Sequence, residues 1–224
     1  FFLMCNPQNP VGRMHSRAEL EQLALLAERY DVIVISDEIH APLAFAGEPF
    51  VPYLSVSDAA ARTGVCVTSS SKSYNTAGLK AAILVWQSED VGMLVKKSVE
   101  AMHWRSSLLG AFSMVAAYND CDDWLAACMN TLDENRHHML AELHAKLPGV
   151  IAHLPEAGYL SLWDVTALNL GHDPAAAILR DARVALVPGP DMGGANYKNF
   201  VRFNFAASKV QITEAIDRIA ASLK

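Results

Sequence analysis

Residues 31–38 read DVIVISDE. Four successive β-branched residues, Val32 to Ile35, are the pattern of a strand buried on both faces of a parallel sheet. Just upstream, SRAELEQLALLAERY (residues 16–30) opens with a capping box, Ser16 and Glu19, and places Leu20, Leu23, Ala24 and Ala27 on one helical face. Downstream, GVCVTSS (64–70) and KAAILVW (80–86) repeat the apolar run. Strands alternating with helices predict an α/β layer architecture.

From about Asp90 the texture turns helical. Helices are expected near 90–104, near 107–119, and within 122–146, where Pro148 and Gly149 terminate a long one that should bridge two domains. Short strands follow around YLSLWDV (159–165), VALVPG (184–189) and FVRFNFA (200–206), mixed with helices near 174–182 and 209–223, the second preceded by Ser208 as N-cap. The expected division is a first domain over 1–125 and a bridging helix with a small α+β domain over 126–224. No internal repeat or low-complexity linker interrupts it.

The 224 residues are 52% hydrophobic and 19% charged, which suits a globular chain with a sizeable core. A net charge of -6 with no dense Lys/Arg stripe argues against a nucleic-acid partner and for small-molecule chemistry. Cys5, Cys66, Cys121 and Cys128 lack the paired spacing of zinc or redox motifs and read as reduced thiols of a cytoplasmic protein. No apolar run reaches the roughly 18 to 20 residues of a membrane span. The opening FFLMCNPQNP runs straight from a strand-like stretch into a turn, so a fragment of a longer chain is expected.

Chemistry is expected at the carboxyl ends of the strands, where open α/β sheets bind ligands. Asp37 closes the strand expected at 32–36, Lys72 follows that at 65–68, and Asn9 follows the opening strand. Lys72 sits in SSSKSYNTAGLK (69–80), among Ser69, Ser70, Ser71, Ser73 and Thr76, with Ala77 and Gly78 leaving room beside it. That setting suits an anion and a reactive amine, or, more plainly, a solvated lysine in a Ser-rich loop. A lysine that forms a Schiff base and a carboxylate that holds a pyridinium nitrogen are what pyridoxal phosphate chemistry requires of a protein.

Four segments, NPQNPVG (6–12), SDEIH (36–40), SSSKSYNTAGLK and FVRFNFA, stand in the order and spacing of fold-type I pyridoxal phosphate enzymes, and the resemblance covers essentially the whole chain. It implies the C-terminal part of an aspartate aminotransferase-like large domain with a mainly parallel sheet, followed by the small α+β domain. Aminotransferases usually carry Tyr where this chain has His40. With VRFNFA, the DEIH run resembles the cystathionine β-lyase branch, the MalY/PatB type of carbon–sulfur lyase.

The resemblance implies a role for each residue. Lys72 holds pyridoxal phosphate covalently and removes the substrate Cα proton, and Asp37 pairs with the ring nitrogen. Asn9 and His40 serve the phenolic oxygen. Ser69, Ser71 and Lys80 contact the phosphate, although relatives often place Arg at position 80 and Lys lacks its bidentate fork. Arg202 clamps the substrate carboxylate, since planar pairing suits carboxylates; the plain alternative is an edge-strand arginine pointing to water. Lys72, Asp37, Asn9 and Arg202 are expected to face one cleft.

The implied partners are an amino-acid substrate and a second copy in a homodimer, with no nucleic acid, membrane or metal. In RHHM (136–139) the adjacent histidines diverge on their helix and form no two-ligand site. Gly158 and Tyr159 resemble a segment that approaches the substrate in relatives. A phosphate loop, a ring-stacking aromatic and an N-terminal arm lie upstream of the Asn-Pro segment in relatives. None is among these residues, so the 224 residues alone should bind the cofactor weakly or not at all. The leading activity is β-elimination of cysteine thioethers. Transamination is the alternative, and a non-catalytic regulatory or interaction module is a third.

Overall fold

The capping box forms as expected. In a computed structural model, which describes residues 1–47, 49–98 and 107–223, Ser16 Oγ accepts from the Glu19 N–H at 3.3 Å and Glu19 Oε2 from the Ser16 N–H at 2.8 Å. Helix α1 (Arg17–Arg29) buries Leu20, Ala24 and Ala27. It packs on the short helix α2 (Asp58–Thr63), capped by Ser57. These helices share a core with Met4, Val34 and Cys66, one residue from each of β1 (Phe2–Cys5), β2 (Val34–Asp37) and β3 (Gly64–Thr68).

The sheet order is β1-β2-β3-β4, with β1, β2 and β3 parallel. β4 (Ile83–Trp86) returns antiparallel to β3, so an apolar run read as another strand of the parallel pattern runs the other way. The strand expected at 32–36 forms at 34–37, and within these 224 residues helices cover one of its faces. Val34 and Ser36 are fully buried beneath the helices, whereas Ile33 and Ile35 are half-buried and open onto a cleft with Phe1, Val65 and Leu84. β-branching follows strand propensity. It does not report which face finds a cover.

Helix α3 (Glu89–Ser98) forms over the described part of the segment expected at 90–104; the remainder lies outside the described residues. Helix α4 (Leu108–Asp120) is capped by Ser107, whose Oγ accepts from the Gly110 N–H at 3.1 Å. Helix α5 spans Asp122–Lys146. The chain divides into two compact units within α5, between Ala127 and Cys128; residues 156–158 group with the first unit and 9–12 with the second.

The second unit holds an antiparallel sheet of order β5-β6-β8-β7, from β5 (Ile151–Ala152), β6 (Leu160–Asp164), β7 (Val187–Pro188) and β8 (Phe200–Asn204). Trp163 of β6 and Phe203 of β8 are buried and stack with centroids 4.5 Å apart. Burying side chains of this size contributes about 1.5–3 kcal/mol each. Helices α6 (Pro174–Ala182) and α7 (Lys209–Ser222) pack together, with Ile178, Ile212, Ile216 and Ile219 fully buried. Asn135 of α5 donates to the carbonyls of Phe205 and Ala207 at 3.0 and 2.7 Å, satisfying backbone just past β8. Among the described residues no helix is long and apolar enough to cross a membrane.

Candidate active site

Because β1, β2 and β3 run parallel, their carboxyl ends share one edge of the first unit. Asp37 is the last residue of β2, registered between Cys5 and Val67. It is half-buried, and its Oδ1 accepts from the Ile39 N–H at 3.2 Å. Strand alternation sends the next side chain, Glu38, to the other face. There Glu38 is buried, and its Oε1 accepts from Ser36 Oγ at 2.8 Å and from the Tyr53 N–H at 2.9 Å. Glu38 was not singled out from the sequence, although it stands inside the SDEIH segment. Burial pushes the Cys66 thiol well up, with Glu38 adding to the effect, so this cysteine stays an inert thiol.

His40 is buried and leads into a 3-10 turn, Ala41–Leu43. Gly158 lies against it. A Cβ at Gly158 would stand 3.3 Å from His40 Nδ1, and φ of +81° already favours glycine there. Gly158 therefore keeps space beside His40.

The lysine turn is built from hydroxyls. Ser69 Oγ is buried, donates to the Ala81 carbonyl at 2.6 Å, and accepts from the Ser71 N–H at 3.0 Å. It also lies 2.7 Å from Ser71 Oγ. A hydroxyl has one proton, and that of Ser69 goes to Ala81, so Ser71 must donate to Ser69. Neither hydroxyl then has a proton free for an anion unless Ser71 rotates. Ser70 Oγ pairs with Thr76 Oγ1 at 3.0 Å, and the Tyr74 N–H donates to the Ser70 carbonyl at 2.9 Å. Lys72 is exposed at the crown of this turn, and Lys80 is exposed beyond it in a left-handed conformation, φ +54°.

Two buried side-chain atoms among the described residues have no partner, Asn6 Nδ2 and Ser73 Oγ. Both lie at this carboxyl edge. Asn6 directly follows β1, its N–H donates to the Asp37 carbonyl at 2.9 Å, and its Oδ1 accepts from the His15 N–H at 3.0 Å. Ser73 directly follows Lys72. An unmet buried polar group costs about 1–3 kcal/mol. Unmet polar atoms in the segments that follow β1 and β3 fit an edge that receives a polar ligand.

Arg202 and Asn9 belong to the second unit, where they meet. Arg202 lies half-buried on β8, an inner strand, registered between Leu162 and Val187 rather than on an edge. Its Nη1 donates to Asn9 Oδ1 at 3.3 Å. Burial raises the Tyr159 hydroxyl pKa, and the charge of Arg202 opposes that rise. In α5, His138 Nε2 pairs with Thr213 Oγ1 at 2.8 Å, while His137 lies 3.9 Å from Asp133. Among the described residues no group of three or more His, Cys, Asp or Glu side chains is arranged to hold a metal.

Residues 1–219 match the family model described as aminotransferase class I and II. The chain belongs to the aminotransferase class I and II family. Within it, the chain is 34% identical over 221 residues to cystathionine beta-lyase of Corynebacterium glutamicum and 32% identical over 228 residues to cystathionine beta-lyase PatB of Bacillus subtilis. Both alignments take in 99% of this chain, but 59% and 58% of those proteins. Among solved structures, cystalysin from Treponema denticola, which contains pyridoxal 5'-phosphate, superposes with a TM-score of 0.91 at 27% identity, over 99% of this chain and 56% of that one. The chain thus spans a little over half the length of these aminotransferase class I and II relatives. The resemblance read from the four segments and the mainly parallel α/β fold it implied both hold.

Proposed function

We propose that the protein carrying this chain is a pyridoxal phosphate-dependent carbon–sulfur β-lyase that converts cysteine thioethers such as cystathionine to pyruvate, ammonia and a thiol. The observation that carries this reading is the shared sheet edge: Asp37 ends β2, and the Lys72 turn follows the end of its parallel neighbour β3. The similarity to the lyases of Corynebacterium glutamicum and Bacillus subtilis supports the choice of reaction.

When bound, pyridoxal phosphate supplies an electron sink for the pair released at the substrate Cα. In this reading Lys72 anchors the group through its amine and, once freed by substrate, takes the Cα proton. The Asp37 carboxylate keeps the ring nitrogen protonated. His40 and Asn9 donate toward the phenolic oxygen, and Gly158 keeps the His40 flank clear. Lys80 supplies positive charge to the phosphate. Ser71 joins it by rotating away from Ser69, whose own hydroxyl stays with Ala81. Arg202 holds the substrate carboxylate with the donors that Asn9 leaves free. Water completes the reaction by releasing pyruvate and ammonia after the thiol has left. A homodimer and a cytoplasmic location belong to this reading on the resemblance alone.

Incubating the intact protein with pyridoxal phosphate, reducing with borohydride and mapping peptides tests the reading. The added mass should fall on Lys72. An adduct on another lysine, or none, contradicts it, and none would favour a non-catalytic module.

A further inference from the structure

Three aromatic side chains beside the lysine turn have no part in the chemistry above. Tyr74, two residues after Lys72, meets Tyr118 of α4 edge to face, with centroids 5.7 Å apart at 87°. Its other neighbour is the ring of Trp124, in the first turn of α5, stacked at 6.1 Å and 26°. Burial raises the Tyr118 hydroxyl pKa, and the neighbouring Thr68 side chain opposes that rise. Thr68 is the last residue of β3, registered with Ile83. Tyr118 therefore touches the chain on both sides of Lys72, at Thr68 before it and at Tyr74 after it.

From these contacts we infer that Tyr118 and Trp124 are positioning residues for Lys72, bracing its turn so that the amine is presented in one orientation. The inference rests on the reading of Lys72 as the cofactor-bearing residue. The inner side of the turn is fixed by the Ser69–Ala81 and Ser70–Thr76 bonds. Those bonds set the path of the backbone. Lys72 itself is exposed, and the side chain of Tyr74, two residues on, is held by the aromatic stack. Tyr118 is 38% exposed and Trp124 47%, so truncating either removes the brace without opening a buried cavity. Ring pairs and single hydrogen bonds of this kind bias a local equilibrium by roughly two- to tenfold. A bias of that size in the orientation of the amine appears directly in the rate at which it captures a bulky aldehyde.

The test uses the intact protein and its Tyr118→Phe, Tyr118→Ala and Trp124→Ala variants. The Lys72 amine adds to the aldehyde carbon of pyridoxal phosphate, water leaves, and hydride from borohydride fixes the new bond; peptide mapping gives the rate at Lys72. Reductive methylation of Lys72 with formaldehyde is the control, since so small an aldehyde needs no particular approach. Both Ala variants should slow capture of pyridoxal phosphate roughly two- to tenfold, leaving formaldehyde methylation unchanged, with Tyr118→Phe between them and the unsubstituted protein. Equal capture rates in all four proteins overturn the inference while the cofactor reading stands. A parallel fall in methylation also overturns it, because that marks general loss of the turn. Absence of label on Lys72 in the unsubstituted protein overturns the cofactor reading, and the inference with it.

Discussion

Arg202 and Asn9, 193 positions apart in the chain, meet through one hydrogen bond from Nη1 to Oδ1 at 3.3 Å. A guanidinium carries five N–H donors in a planar fork, so one bond to an amide fixes its orientation and leaves the rest for a carboxylate. Arg202→Ala in the intact protein should raise KM for the amino-acid substrate by about 10- to 100-fold while kcat falls much less. Arg202→Lys should recover little of this, because a point charge cannot reproduce the fork. Steady-state kinetics on the three proteins decides; an unchanged KM removes Arg202 from the substrate site.

Ser69 and Ser71 are adjacent in the turn but should respond differently to removal. Ser69→Ala leaves the Ala81 carbonyl and the Ser71 N–H without their partner, a loss of about 1–3 kcal/mol in urea unfolding. Ser71→Ala, at a half-buried position, should cost less than about 1 kcal/mol. Its effect should fall on the affinity for pyridoxal phosphate. Equal stability losses would mean that the hydroxyl network is not directed through Ser69.

Ser73 offers the opposite sign. Its buried hydroxyl has no partner, so Ser73→Ala relieves an unmet polar group and should leave stability unchanged or raise it by up to about 1 kcal/mol without ligand. With pyridoxal phosphate present, the same change should weaken binding if that hydroxyl serves the ligand. Melting curves with and without the cofactor measure both; marked destabilisation of the ligand-free variant contradicts the assignment.

Glu19 carries a pH signature. Its hydrogen bond to Arg13, with the Ser16 N–H and hydroxyl helping, holds its pKa at about 2. An unperturbed glutamate titrates near ~4.3. Between these values the unfolded chain binds more protons, so the contribution is full above about pH 4.3 and fades as pH falls toward 2. The Tm difference between the unsubstituted protein and Glu19→Gln should be constant from neutral pH to about pH 5 and shrink below that. Glutamine keeps the capping geometry, so a difference that persists at the acid end would assign the effect to hydrogen bonding rather than charge.

What the sequence disclosed follows the range of the interactions involved. The capping box of Ser16 with Glu19 lies within three residues and forms as its spacing requires, and Ser208 caps its helix as expected, with Gln211 completing a box that the structure adds. Helix α6 forms over Pro174–Ala182, where it was expected. The direction of β4 was not legible, since an apolar run looks alike in parallel and antiparallel pairing. Burial of the other face of β2 depends on what covers Ile33 and Ile35, which no local pattern carries. At the site, Asp37 and Lys72 stood out as charges at strand ends. Glu38 was hidden by its neighbour, and only the fold brings Tyr53 to it. Ser69 looked like a ligand contact because its partner, Ala81, lies twelve residues on and is a backbone carbonyl. The grouping of Asn9 with Arg202 likewise depends on tertiary contact.

The central claim is that Lys72 serves carbon–sulfur cleavage, and product analysis with cystathionine tests it most directly. The intact protein, loaded with pyridoxal phosphate and given no keto-acid acceptor, should release pyruvate, ammonia and homocysteine in equal amounts. Lys72→Ala should release none, having lost both the anchor and the base. Absence of pyruvate from any cysteine thioether, together with amino-group transfer from an ordinary amino acid to 2-oxoglutarate, would contradict the account and make the protein an aminotransferase.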